Sequence, residues 1–156
     1  MYDFKICTIK NSFIENYPNL KKEANSKESR IYLGIKITID NNNCFVPFET
    51  KLHKHPLLDN ISQYPVPSNT RPDAGLNFEK CLIINNSEYI KEIISIEQAK
   101  IANTQKNTLL NNKVDIVTKF NLYIKKYIKA CKKNREKRDF IFRYSTLHEF
   151  KDELGV

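Results

Sequence analysis

Three glycines in 156 residues, Gly34, Gly75 and Gly155, are too few and too scattered to form a phosphate-cradling loop or a dinucleotide fingerprint. That scarcity sets aside enzymes that work through a nucleotide cofactor, and no cofactor is expected. The four cysteines, Cys7, Cys44, Cys81 and Cys131, include no C-x-x-C pair. They read as small buried hydrophobes rather than as a zinc site or a disulfide frame. No apolar run approaches the length of a membrane span, and the amino terminus lacks an apolar signal-peptide core. The expectation is a soluble, cytoplasmic protein without a membrane partner.

What is present points to a folded, basic protein. An apolar content of 40%, with nine Phe and eight Tyr, supports one domain over residues 1–156 rather than a disordered chain. The net charge of +8 is unevenly spread. Residues 106–138 hold 11 Lys and Arg against Asp115 and Glu136, so this one segment carries the whole excess. Charge gathered in this way suits a polyanionic partner.

Along the chain, residues 3–9 and 30–40 read as strands. The second has Ile31, Leu33, Ile35, Ile37 and Ile39 as a period-two stripe. Asn41, Asn42 and Asn43 tolerate left-handed backbone and predict a hairpin turn, with a return strand from Cys44. Capping-box patterns at Ser12–Glu15 and Thr146–Glu149 predict two short helices, the first ending before Pro18 and the second at Gly155. Residues 56–76, with Pro56, Pro65, Pro67 and Pro72, read as a long flap. Further strands are expected over 79–85, 89–94 and 140–144, and a short helix over 97–104. In residues 114–133, Val117, Phe120, Ile124, Tyr127 and Cys131 step by three and four, with lysines off that stripe. Lys119, Lys125, Lys126, Lys129, Lys132 and Lys133 then form either an ordinary solvated face or a phosphate-binding one.

The chemistry concentrates in Glu49, Thr50, Lys51, His53, Lys54 and His55, directly after the return strand. Two of the three histidines lie here beside cations and a hydroxyl. RNA cleavage without metal needs little more, because the substrate's own 2′-hydroxyl is the nucleophile. The hairpin should also bring Arg30 to the same end. The bland alternative is a polar loop. A metal site at His53-x-His55 has no third ligand at a motif spacing and is flanked by Lys51 and Lys54, so none is assigned. His148 reads as a structural residue near a helix cap.

Four stretches in order carry a resemblance: R-x-Y-L-G-I from Arg30, V-P-F-x-T from Val46, G-L-N-F-E-K-C-L-I-I from Gly75 and F-R-Y-S-T-L-H-E-F-K-D-E-L-G from Phe142. Together they resemble the type III toxin–antitoxin endoribonucleases, the ToxN, AbiQ, TenpN and CptN toxins, and most closely the last two branches. The resemblance implies an α+β fold, a strongly bent antiparallel sheet like that of Kid and MazF with packed helices. It implies a bacterial enzyme that cuts RNA without metal, leaving 2′,3′-cyclic phosphate and 5′-hydroxyl ends. Its expected partners are a small repeat-derived pseudoknot antitoxin RNA, closed with the toxin into a ring-like assembly, and cellular or phage RNA substrates.

By position, the resemblance matches Thr50, Lys51 and Arg30 to the family's hydroxyl and basic residues. Thr50 is then expected to orient the phosphate and Lys51 and Arg30 to stabilise its charge, while the chemistry of their own imidazoles makes His53 or His55 the expected proton carrier. Phe13 falls where a Tyr stands in the family, and it can only stack or pack. A second departure is that Glu49 precedes Thr50 and Lys51 follows at once, whereas the family has two hydroxyl residues and a proline. His53 or Lys54 could therefore take the lysine's role. Glu49, Lys54 and the six helix lysines are the expected RNA contacts. The rival from another class is a non-catalytic RNA- or DNA-binding module built on the same basic groups.

Overall fold

A hairpin of β2 (Leu33–Ile39) and β3 (Asn42–Glu49) is the centre of the sheet, and its formation follows from its sequence. The computed structural model describes residues 4–20, 33–55 and 61–156; Arg30, Ile31 and the first residues of the 56–76 stretch lie outside them. Ile35, Ile37 and Ile39 are buried on one face as the alternation predicts. Asp40 and Asn41, with φ of 48° and 68°, make the two-residue turn. The turn thus falls one residue before the expected Asn41–Asn43, because Asp40 shares the tolerance of left-handed backbone and Asn42 and Asn43 already pair with Ile39 and Thr38.

Gly34 pairs with Pro47 across the hairpin, and a Cβ there would lie 2.5 Å from the Val46 carbonyl and 2.7 Å from the Phe45 ring. Asn43 turns its backbone N–H and C=O towards β6 (Leu82–Ile83), so Pro47, four residues on, turns its nitrogen to the same side. That side of β3 is paired by β6 at Cys44 and Phe45 and by β5 (Gly75–Asn77) at Phe48 and Glu49. Pro47 lies between the two ladders, where no donor is needed.

The seven-stranded sheet runs β4–β5–β3–β2–β1–β7, with β6 beside β3, and every described pairing is antiparallel. β1 (Lys5–Ile9) lies between β2 and β7 (Ile90–Ile94). The expected flap is in part sheet: β4 (Gln63–Pro65) pairs with β5 and extends the edge. Pro65 ends its strand and costs no internal ladder bond.

The long helix, Lys113–Lys132, buries Ile116, Val117, Phe120, Tyr123, Ile124, Tyr127 and Ala130, while Cys131 is half-buried at its end. Its anchors are aromatic: Phe120 meets Phe78 edge-on at 5.3 Å, and Tyr123 lies 6.1 Å from the same ring. The short helix expected at 97–104 instead spans Asn103–Asn111, with only Gln105 and Leu109 buried. Gln105 fixes it by donating to the Val66 carbonyl at 2.9 Å.

The strand expected over 79–85 keeps only Leu82–Ile83, following a 3-10 turn at Phe78–Lys80. The first helix begins at Asn11, so Ser12 lies inside it and makes no side-chain cap. The last 3-10 turn, Thr146–Glu149, is capped by Ser145, and the final helix, Lys151–Leu154, stops at Gly155 with φ of 72°. Cys7, Cys44 and Cys81 are buried, and burial pushes the Cys44 thiol up to about 12, which makes it chemically quiet. Among the described residues no helix is long and apolar enough to cross a membrane.

A cationic cleft at the exit of strand β3

Beyond Glu49 the chain bends at Thr50 and Lys51, both exposed, and is then caught by one apolar side chain. Leu52 is buried, and its N–H donates to the Asp73 carbonyl at 2.7 Å. Gly75 makes room for it: a Cβ there would lie 2.5 Å from a Leu52 methyl and 2.4 Å from the Tyr64 carbonyl. With Leu52 held inward, its neighbours Lys51 and His53 are exposed on either side. One buried leucine thus presents the two polar groups to solvent.

They face a cleft of about 620 Å³. Its cations are Lys51, Lys54, Lys80 and Arg143, its carboxylates Glu49, Asp73 and Glu79, and its imidazole His53. Lys54 pairs with Asp73 at 2.8 Å and Lys80 with Glu49 at 3.2 Å. The Lys54 ammonium holds the Asp73 carboxyl below its ordinary range. These pairs are solvent-facing and add little stability. They fix where the two ammonium groups sit while largely offsetting their charge, so the lining, four cations against three carboxylates, is only slightly positive.

The far wall comes from residues 139–150, a region the sequence read as strand then helix. Backbone bonds run back along a turn instead, from Phe142 N–H to the Asp139 carbonyl at 3.0 Å and from Arg143 N–H to the same carbonyl at 2.9 Å. Phe142 is buried against Tyr123 and Tyr127, at 5.4 and 5.6 Å between ring centroids. Ser145 Oγ accepts from the Tyr123 hydroxyl at 2.9 Å, and the Thr146 hydroxyl donates to the Cys81 carbonyl. Phe142 therefore points inward, and Phe140, Arg143 and Tyr144 face the cleft. His148 braces this wall: Nε2 donates to the Arg143 carbonyl at 3.3 Å, while Nδ1 accepts from the Tyr127 hydroxyl at 2.7 Å. Burial holds its imidazole below the ordinary value, consistent with that neutral tautomer.

The expected site residues divide among several places. Lys51, His53, Lys54 and Glu49 border the cleft. His55 is half-buried with its ring 4.7 Å from Phe140. Thr50 borders a second groove of about 510 Å³ with Arg71, Lys100 and Gln105, and Glu49 is shared by both. Phe13 is 5% exposed in an aromatic cluster with Tyr17, Tyr89 and Phe150, so of stacking or packing it packs within the protein. Arg30 lies outside the described residues.

On the long helix, Lys125, Lys126, Lys129, Lys132 and Lys133 are exposed. Lys119 is instead engaged with Asp115 at 3.5 Å and lies over the Tyr64 ring. None of the six borders the cleft. Lys80, Arg143 and Tyr144, which also line the cleft, are not singled out by the sequence reading. Their signal, a Phe-x-Phe-Arg-Tyr cluster just past a basic helix, was absorbed into a supposed strand. Among the described residues no three His, Cys, Asp or Glu side chains are grouped to hold a metal ion.

No family model matches the chain, and no curated protein does. The fold has a counterpart among solved structures, in work on bacterial type III toxin–antitoxin systems and selective toxin inhibition by a non-coding RNA pseudoknot. The two chains superpose with a TM-score of 0.58 over 81% of this chain and 80% of that one, at 17% identity. This chain therefore has the α+β fold, an antiparallel sheet with packed helices, seen in that toxin–antitoxin structure.

Proposed function

We propose that this chain is a metal-independent endoribonuclease toxin of a type III toxin–antitoxin system. In this reading it acts in the bacterial cytoplasm, and a small pseudoknot RNA processed from repeats inhibits it within a ring-like assembly. The observation that carries the reading is the convergence of Lys51, His53, Lys54, Lys80 and Arg143 on one cleft, in a fold shared with such a system.

In the proposed reaction the 2′-hydroxyl of RNA attacks the adjacent phosphorus and the bond to the 5′-oxygen breaks, leaving a 2′,3′-cyclic phosphate and a 5′-hydroxyl. His53, exposed in the cleft, takes the 2′-hydroxyl proton; the Lys51 ammonium supports the charge on the phosphorane and supplies a proton to the leaving oxygen. Thr50 orients the phosphate from the adjoining bend, and Arg30 adds charge. The exposed lysines of the long helix hold flanking RNA by its phosphates.

The test is incubation of the purified chain with a synthetic RNA in the presence of a chelator. Cleavage that persists and yields cyclic phosphate and 5′-hydroxyl ends supports the reading. Intact RNA, tightly bound, would mean a binding module, and cleavage that the chelator abolishes would mean a metal-dependent hydrolase.

A further inference from the structure

Breaking a phosphodiester through its own 2′-hydroxyl asks nothing of the bases, yet the cleft carries an aromatic–cation–aromatic stack at its wall. The Arg143 guanidinium lies 4.9 Å from the centroid of the Phe140 ring and 4.9 Å from that of Tyr144. Phe140 is 37% exposed and Tyr144 67%, whereas Phe142 between them is 4% exposed. Tyr144 therefore adds little to the core. The backbone that carries it is nonetheless tightly held, by Phe142 among the tyrosines, by Ser145 on Tyr123 and by His148 on the Arg143 carbonyl. An exposed ring on a fixed backbone leaves only its own side-chain rotamers to be ordered on binding.

Planar, apolar on its faces and flanked by cations, this surface matches an unpaired nucleobase attached to a phosphate. Bases stack on tyrosine and on guanidinium planes, and Lys51 and Lys54 border the same cleft. We propose that Phe140, Arg143 and Tyr144 form a nucleobase-stacking subsite that seats one unpaired base of single-stranded RNA beside the phosphate held at Lys51 and His53. The inference rests on the ribonuclease reading for the phosphate's fate, and on the stack alone for the base. Its consequence is selectivity: the cleft takes unpaired RNA, because a base within a duplex cannot reach Tyr144 without leaving its own stack.

The test uses binding rather than cleavage. A fluorescent 2′-O-methyl oligoadenylate lacks the attacking hydroxyl and stays intact, and anisotropy gives its affinity for the full chain. A matching set of oligonucleotides carries a single abasic position moved along the strand. Tyr144→Ala is expected to weaken the intact oligonucleotide about tenfold, within what one stacked base contributes. Tyr144→Phe keeps the ring and is expected to keep the affinity. One member of the abasic set should bind the wild-type chain as weakly as the variant binds the intact strand, and should lose nothing further on Tyr144→Ala.

Unchanged affinity in Tyr144→Ala, an equal loss across every abasic oligonucleotide, or no binding of oligoadenylate by the wild-type chain would each overturn the subsite. Unchanged melting and circular dichroism of the variant guard against misfolding. Cleavage of RNA without stack-dependent binding would leave the ribonuclease reading standing and remove this one. Stack-dependent binding without cleavage would do the reverse.

Discussion

Two basic regions, the cleft at the exit of β3 and the outer face of the long helix, differ in how their charges are held. In the cleft, Lys54 and Lys80 are tied to Asp73 and Glu49, and the backbone at Lys51 and His53 is pinned by buried Leu52. On the helix, Lys125, Lys126, Lys129, Lys132 and Lys133 stand in solvent on long flexible stems. Fixed charge can act on one bond of a substrate, because position decides transition-state stabilisation. Mobile charge can only raise the local concentration of a polyanion. On the proposed function, the comparison assigns chemistry to the cleft and capture to the helix, although the two regions hold similar residue types.

The comparison breaks most visibly at His53, the proposed proton carrier. His53→Ala should lower the cleavage rate by about 10²- to 10⁴-fold at saturating RNA, the usual contribution of a positioned acid or base. Its RNA affinity should stay within a few-fold of wild type, as gel shift or anisotropy would show. A variant that loses affinity and rate together would place His53 in binding only.

Leu52→Ala should cost about 2–5 kcal/mol in chemical denaturation, the range for truncating a buried leucine. It should also depress cleavage beyond its effect on folding, since Leu52 orients its polar neighbours. Gly34→Ala should cost about 1–3 kcal/mol by overpacking, because its Cβ would press on the Val46 carbonyl and the Phe45 ring. Full stability in that variant would show that the hairpin can open there at no cost.

The helix face should respond differently. Lys125→Ala with Lys126→Ala should leave the saturated cleavage rate unchanged and reduce the salt slope of RNA binding by about 1.4, some 0.7 per phosphate contact on a single strand. An unchanged slope would make that face an ordinary solvated one.

The smallest effect concerns pH. Burial first, then the Lys151 charge, holds the His148 imidazole below its ordinary value, so the folded chain binds its proton later than the unfolded chain. The stability this provides is complete above the ordinary value of about 6.5 and declines as pH falls through it towards the lower folded value. Thermal melting between pH 7.5 and 5.5 should show the decline, and His148→Gln should flatten it.

Much of the frame was legible in the sequence because its signals are periodic. Ile35, Ile37 and Ile39 alternate over a full strand, and Val117, Phe120, Ile124 and Tyr127 repeat over a helix long enough to average out exceptions. The β4–β5 hairpin escaped because each strand has three residues, too few to show a period, and Pro65 argued against it. The wall at 140–144 misled because Phe140, Phe142 and Tyr144 alternate like a strand while their backbone turns. Only the tertiary pull of Tyr123 and Tyr127 on Phe142 decides that shape. The helix at Asn103–Asn111 is mostly polar, and its placement depends on the distant Val66 carbonyl. For the candidate site, Glu49, Lys51, His53 and Lys54 stand out by residue type alone, whereas Thr50 and His55 from the same cluster fall outside the cleft. Lys80 and Arg143, which line it too, come from other parts of the chain and become neighbours only through the fold.

The most direct measurement is single-turnover cleavage of one labelled RNA at saturating protein, comparing Lys51→Ala/His53→Ala with Lys125→Ala/Lys126→Ala. The account predicts that the cleft variant binds the RNA and leaves it whole, while the helix variant cuts it at the wild-type rate once enough protein is present. Wild-type cleavage by the cleft variant, or a helix variant that stays inactive when saturated, would contradict it.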